Sequence, residues 1–238
     1  MTEQITKLRE ILSNSNNIVF FGGAGVSTES GVPDFRSVDG LYNQKYKYPP
    51  EEILSHSFFI SRPEEYYKFH REKLVVENVM PNAAHYALAR LEKEGRLNAV
   101  ITQNIDGLHQ AAGSEKVLEL HGTANRCHCM RCCKPAPIEL ITKGTDVPHC
   151  ECGGLIRPDI VLYEEQLDED VLREAINYIK AAEVLIIGGT SLAVYPAAGL
   201  IRYFAGNYLI LINRDETPAD RYADLVIHGK IGEVLAQI

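Results

Sequence analysis

The chain has 238 residues, 45% hydrophobic and 24% charged, a balance that supports one substantial core with room for a small satellite and excludes a disordered chain. Its formal net charge of -8 lacks the basic excess with which nucleic-acid binders displace counterions, so no nucleic-acid partner is expected. No apolar stretch is long enough to span a bilayer, and no membrane partner is expected either.

Near the N-terminus Ile5, Leu8, Ile11 and Leu12 recur at helical spacing with no cationic segment leading into an apolar run, so the segment reads as an amphipathic helix and not a secretion signal. A cytoplasmic location is the expectation. The run NIVFF, ending at Phe21, is the first strand, and Gly23, Ala24 and Gly25 follow it. That is how a strand turns into a helix whose amides hold a pyrophosphate. A hydride-transferring dehydrogenase would continue with a small residue at position 28 and, about 20 residues on, an acid for the ribose. Thr28 stands there instead, and no isolated acid follows a second strand.

Residues 39–76, with KYKYPP and FFISRPEEYYKFHREK, read as a helical excursion. Ala84, Ala87, Leu88 and Leu91 mark a helix, and AVIT, ending at Thr102, a strand followed by QNIDGLH. VLEL ends at Leu120 before His121, EVLIIG runs into GGTS, and YLILI ends at Ile212 before Asn213. Val171, Leu172, Ala175 and Ile179 mark another helix. Strands that are continuously apolar are covered on both faces, and their alternation with helices predicts an α/β fold with a doubly wound, Rossmann-like, mostly parallel sheet. Each glycine-rich or polar cluster falls at the carboxyl end of a strand, the edge along which such sheets bind ligands. His121 ends a strand there and is the candidate base, since an imidazole with an ordinary pKa of about 6.5 accepts a proton near neutrality. His85 and His109, within helices, read as structural, and His128 is left open.

All six Cys lie between 127 and 152, unlike the disulfide framework of a secreted domain. Cys129-x-x-Cys132, 17 intervening residues and Cys150-x-Cys152 match the two knuckles of a zinc ribbon spanning 123–158. Four thiolates leave no open position, so one structural Zn²⁺ is expected, its excess negative charge offset by Arg126, Arg131 and Lys134. Cys127 or His128 could replace a ligand, though a pair separated by two residues wraps a metal better.

Taken in order, GAGVSTESGVPDFR, TQNIDGLHQAAG, LELHG, the Cys pairs, RPDIVLYEE, GGTSLAVYPAA and LIN make a chain that resembles a bacterial sirtuin over nearly its full length. The resemblance implies an NAD-binding Rossmann-like domain built from 1–38, 77–122 and 159–238. It also implies a smaller inserted domain made of a helical module, 39–76, and the zinc module, 123–158. The implied activity is NAD-dependent protein lysine deacetylation with NAD as co-substrate, giving nicotinamide, 2'-O-acetyl-ADP-ribose and free lysine. A protein ADP-ribosyltransferase and a non-catalytic NAD or ADP-ribose sensor are the competing readings.

The same resemblance assigns roles residue by residue. Ala24, Gly25 and Thr28 line the phosphate loop. Asp34, Phe35 and Arg36 form a cover in which Phe35 shields the reactive ribose carbon from water. Gln103, Asn104, Ile105 and Asp106 form the nicotinamide pocket, and His121, Asn104 and Asp106 are the catalytic set. Thr190, Ser191 and Asn213 bind phosphate or ribose, and Ile231 meets the adenine. Although Thr190 and Ser191 suit helix capping as well, the two roles are compatible. Val161, Leu162 and Tyr163 on one side, and Val194 and Tyr195 on the other, are the edges between which an acyl-lysine peptide inserts as a strand. Glu164 departs from the family, which frequently has glycine there, and adds an acid that suits basic peptides. Relatives that take acidic acyl groups carry Tyr and Arg three apart; here Tyr67 matches the Tyr, His70 holds the Arg position and Arg71 lies one further, so a neutral acyl group is expected. The partners are acyl-lysine proteins or peptides, and the chain is expected to be a monomer.

Overall fold

Val19 and Phe21 pack into one hydrophobic cluster and Phe20 into another, so the first strand is covered on both faces. The computed structural model describes residues 2–35, 40–75 and 78–238. In chain order come α1 (Thr2–Ser13), β1 (Ile18–Gly22), α2 (Pro50–Ile53), α3 (His56–Ser61), α4 (Pro63–Phe69), α5 (Ala83–Lys93), β2 (Leu97–Thr102), α6 (Leu108–Ala111) and β3 (Val117–Glu119). They are followed by β4 (Gly122–Cys129), β5 (Pro135–Ala136), α7 (Glu139–Thr142), β6 (Ile156–Ile160), α8 (Glu169–Ala181), β7 (Val184–Gly188), β8 (Tyr208–Asn213), β9 (Leu225–His228) and α9 (Ile231–Leu235).

Among the described residues the large sheet has six strands in the order β3-β2-β1-β7-β8-β9, every neighbouring pair parallel. The five expected strands are all in it. The sequence pattern missed β9, whose burial alternates as an edge strand's does. Residues of α1, α5 and α9 cover one face of the sheet, and α8 with the 3-10 turn Ala197–Tyr203 covers the other. Strand order reverses between β1 and β7, where Gly22 pairs with Gly188, and a crevice opens beyond strand ends at such a switch point.

The chain leaves the large sheet twice, and both excursions feed one core. Phe58, Phe59, Tyr66, Tyr67 and Phe69 of the helical excursion pack with Cys127, Ile141, Ile156 and Ile160 around a three-stranded sheet ordered β5-β4-β6. The second departure is sharp. Gly122, at φ 72°, turns the chain from β3 into β4 so closely that a β-carbon would lie 2.0 Å from Asp159 O.

Candidate active site

The glycine loop is held at the switch point by backbone contact. Gly25 N–H donates to Gly189 O at 2.8 Å, and a β-carbon on Gly189, at φ 60°, would come within 2.3 Å of Val26 N. Only a residue without a side chain lets the two strand ends approach this closely. Asn82, the N-cap of α5, donates from Nδ2 to Val26 O at 2.8 Å and to Ser30 Oγ at 3.0 Å, bracing the loop from beneath. Thr28 is exposed at the rim, its hydroxyl donating to Gly25 O at 3.0 Å.

Beyond β2 the backbone turns through Gly107, at φ 74°, and β4 supports the turn: Ala124 N–H donates to Ile105 O at 2.9 Å and Asn125 Nδ2 to Asp106 O at 3.3 Å. The buried Asn104 donates from Nδ2 to Ser27 Oγ at 3.1 Å, and Ser27 Oγ donates to Asp106 Oδ2 at 2.7 Å. Gln103 Nε2 reaches Thr190 Oγ1 at 3.1 Å, while Thr190 N–H donates to Asn213 Oδ1 at 3.0 Å. Residues after β1, β2, β7 and β8 are therefore joined by hydrogen bonds. Thr190 and Ser191 cap no helix, since the next helical turn begins at Ala197.

His121, half-buried between β3 and β4, has Nδ1 3.0 Å from Gln103 O. A carbonyl only accepts, so Nδ1 carries the proton and Nε2 keeps its lone pair. Burial pushes the imidazole pKa below its ordinary value, outweighing the pull of the Gln103 carbonyl in the other direction. Burial thus favours the neutral form of the ring, its tautomer set by Gln103 O.

Three expectations about the crevice meet other surroundings. Ile231 is 3% exposed, buried in the core with its Cδ1 so near Gly188 that a β-carbon there would lie 2.2 Å away, so any ligand contact falls to its backbone. Phe35 packs edge-on to Tyr42, ring centroids 5.4 Å apart, beside the aromatic cluster of the helical excursion. Backbone bonds from Leu41 to Asp34 O and from Tyr42 to Phe35 O, both 2.8 Å, tie down the start of that segment. Arg36 lies outside the described residues.

Past β6, Val161 N–H donates to His121 O at 2.9 Å, joining the expected peptide edge to the base. Tyr163 N–H and C=O are engaged by Leu54 O and His56 N–H, at 2.9 and 3.0 Å, and Leu162 N–H by Glu165 Oε2 at 2.9 Å. Glu165 also pairs with Arg157 at 2.7 Å. On the opposite side Val194 O accepts from Ala198 N–H, and the Tyr195 ring is 73% exposed.

The sulfurs of Cys129, Cys132, Cys150 and Cys152 all lie within 4.8 Å of one another. The Cys129–Cys152 and Cys132–Cys150 separations of 3.5 and 3.8 Å fit a tetrahedron with zinc–sulfur bonds of about 2.3 Å, whose edges are about 3.8 Å. Gly154 is so close that a β-carbon would meet Cys129 Sγ at 2.6 Å, and Arg131 holds the second knuckle through Cys152 O at 2.8 Å. Cys127 stands apart, buried with its thiol on Ala136 O, and Arg126 and His128 both bond Asp159 instead of meeting the sulfurs. The described residues fit one four-thiolate zinc.

Sequence reasoning passed over Ser27, Asn82 and Asn125. Each is a small polar residue of a type common in turns, and only the folded chain brings it to the pocket.

A parallel α/β sheet with a glycine loop at its switch point, a strand-end imidazole and an inserted four-thiolate module defines a dinucleotide-using protein with a structural metal module. The Sir2 family pattern matches residues 23–196, and the chain belongs to that family. It is 56% identical to an NAD-dependent protein deacetylase of Clostridium perfringens and 53% identical to one of Clostridium acetobutylicum, in both cases over 100% of this chain and 99% of the relative. A solved Sir2 structure with a p53 peptide and NAD+ superposes with a TM-score of 0.86 at 42% identity, covering 97% of this chain and 95% of that one.

Proposed function

We propose that the chain is an NAD-dependent protein lysine deacetylase, which consumes NAD and passes the acetyl group to ADP-ribose, releasing nicotinamide and free lysine. The observation that carries this reading is His121, neutral, with Nδ1 committed to Gln103 O and Nε2 left as the base. His121 accepts a proton from a ribose hydroxyl, which then takes over the acyl group already joined to the anomeric carbon. Asn104 and Asp106, fixed through Ser27, bind the nicotinamide end. Ala24, Gly25 and Thr28 hold the pyrophosphate at the switch point. Thr190, Ser191 and Asn213 receive the adenosine half, where Asn213 Nδ2 is a buried donor without a partner among the described residues. Asp34, Phe35 and Arg36 cover the ribose, and 161–163 with Val194 and Tyr195 flank the peptide. The zinc is structural, holding the module from which β4 braces the nicotinamide turn.

A neutral acyl group suits the pocket, because the Arg and Tyr nearest the positions that meet acidic acyl groups in relatives are engaged elsewhere: Arg71 is bound to the backbone oxygens of Ile141, Thr145 and Asp146, and Tyr67, fully buried, bonds Ile156 O. The domain limits proposed are 1–38, 77–122 and 159–238 for the large domain and 39–76 with 123–158 for the small one. The junctions at 38–39 and 76–77 fall outside the described residues. A cytoplasmic location and a monomer without nucleic-acid partners complete the proposal; no helix among the described residues is long and apolar enough to cross a membrane.

The deciding assay follows nicotinamide and deacetylated peptide together from an acetyl-lysine peptide and NAD. Matched release that is lost in His121→Ala supports deacetylation. Nicotinamide release without free lysine would favour ADP-ribosyl transfer, and neither product would favour a sensor.

A further inference from the structure

Glu164 adopts φ 75°, in the left-handed region that glycine enters freely and a β-carbon resists. Its carboxylate is gripped by a single residue of another element: Oε2 accepts from Ser57 N–H and Oε1 from Ser57 Oγ, each at 2.9 Å. Ser57 lies in the first turn of α3, two residues after the N-cap Ser55, where backbone N–H groups have no helical partner. Neighbouring bonds extend the seam. Tyr163 is bridged to Leu54 and His56, and His56 Nδ1 meets Glu165 Oε1 at 2.8 Å. At its other end the same loop is fixed by Val161 N–H on His121 O.

We propose that Glu164 is a positioning residue for the acyl-peptide substrate: clamped on Ser57 at the turn that closes the edge, it holds 161–163 in the path with which the substrate backbone pairs. The proposal rests on the reading of 161–163 as the peptide edge. With an oxygen on each of two Ser57 donors, the carboxylate acts on the loop. The strained backbone and the clamp belong together, since each oxygen reaches Ser57 from the conformation that a glycine would adopt without any anchor.

Steady-state deacetylation of an acetyl-lysine peptide, and of the same peptide N-methylated on the amides flanking the acetyl-lysine, tests this. Glu164→Ala is expected to raise KM for the plain peptide about tenfold, with kcat and KM for NAD within about twofold of the parent. Ser57→Ala loses one of two bonds and raises peptide KM about threefold, and the double variant is no worse than Glu164→Ala because the hydroxyl, left with Ser55 Oγ at 3.3 Å, then no longer reaches the loop. Glu164→Gln, whose side-chain oxygen still accepts one bond, stays within about threefold of the parent. An unchanged peptide KM in Glu164→Ala, fully additive effects in the double variant, or equal rises in both KM values with a fall in Tm would overturn the clamp. If N-methylation leaves the parent's KM unchanged, the peptide-edge reading itself falls and the clamp with it; sensitivity to N-methylation with an unaffected Glu164→Ala removes the clamp alone.

Discussion

Ser27 and Asp106, 79 residues apart in sequence, share a hydrogen bond of 2.7 Å from hydroxyl to carboxylate. The same hydroxyl accepts from Asn104 Nδ2, so one small side chain couples the glycine loop after β1 to the turn after β2. The loop and the turn, the proposed phosphate and nicotinamide ends of the site, are thereby set in one geometry before any ligand arrives, which is what preorganisation for a cleavage reaction requires.

Ser27→Ala should therefore act on NAD and leave the fold intact. It strands the buried Asn104 amide and removes a donor from Asp106, a loss of about 1–3 kcal/mol. The expected result is a fall in kcat/KM for NAD of about tenfold or more with peptide KM little changed, read by initial rates of nicotinamide release. An unaltered kcat/KM for NAD would mean that the hydroxyl does not organise the pocket.

His121 sets the acid limb of the pH profile. Burial lowers its pKa, and the Gln103 carbonyl offsets this only in part, so the base is unprotonated through neutrality and gains its proton below 6.5. The profile of kcat/KM should rise with pH through a midpoint below 6.5. A midpoint above 6.5 would contradict the buried, neutral imidazole.

The zinc module carries stability that a chelator removes. Purified protein should hold one zinc per chain by elemental analysis, and Cys129→Ser or exhaustive chelation should lower Tm by about 10 °C or more, because binding to four thiolates is folding free energy for the surrounding residues. Deacetylation should fail with it, since β4 carries both Cys129 and the Ala124 and Asn125 contacts to the nicotinamide turn. Cys127→Ser should retain the metal, its thiol lying on Ala136 O.

How much of this could be read beforehand depended on the range of the interaction. Apolar runs exposed the strands buried in the middle of the sheet because a strand covered on both faces has no polar side to disguise it, whereas β9, an edge strand of four residues with alternating burial, was passed over despite its Leu225-Val226-Ile227 run. Gly25 and the four Cys were legible because close backbone approach and thiolate ligation each need a particular residue type, and His121 because it stands at the end of an apolar strand. Strand β4 was not, since TANRCHC mixes Cys127 and Ala124, turned to the small core, with residues turned to zinc, to Asp159 and to the pocket turn. Ser27 on Asp106 and Glu164 on Ser57 span 79 and 107 residues, and nothing local in either stretch announces a partner so far away. Ile231 was expected to meet a ligand, but its side-chain direction is fixed by the space above Gly188, which only the packed sheet creates.

The buried pair His85 and His109, ring centroids 4.8 Å apart, gives the last prediction. Asn82 N–H occupies His85 Nδ1, while both nitrogens of His109 are buried without a partner among the described residues. Burial is the main cause that holds their pKa values down, at about 4 for His85, where Asp106 pulls the other way, and about 3 for His109, where His85 adds to the fall. The unfolded chain takes up these protons first, from 6.5 downward, so the stability is present in full above pH 6.5 and drains away as pH falls toward the folded values. For His109 alone the loss at pH 5 is about 2 kcal/mol. His109→Leu should match the parent at pH 7 to within about 1 kcal/mol, since it trades two unsatisfied nitrogens for an apolar side chain, and exceed it by about 2 kcal/mol at pH 5. Urea unfolding at both pH values measures this directly, and parallel losses in parent and variant would show that His109 does not titrate as a buried, neutral ring.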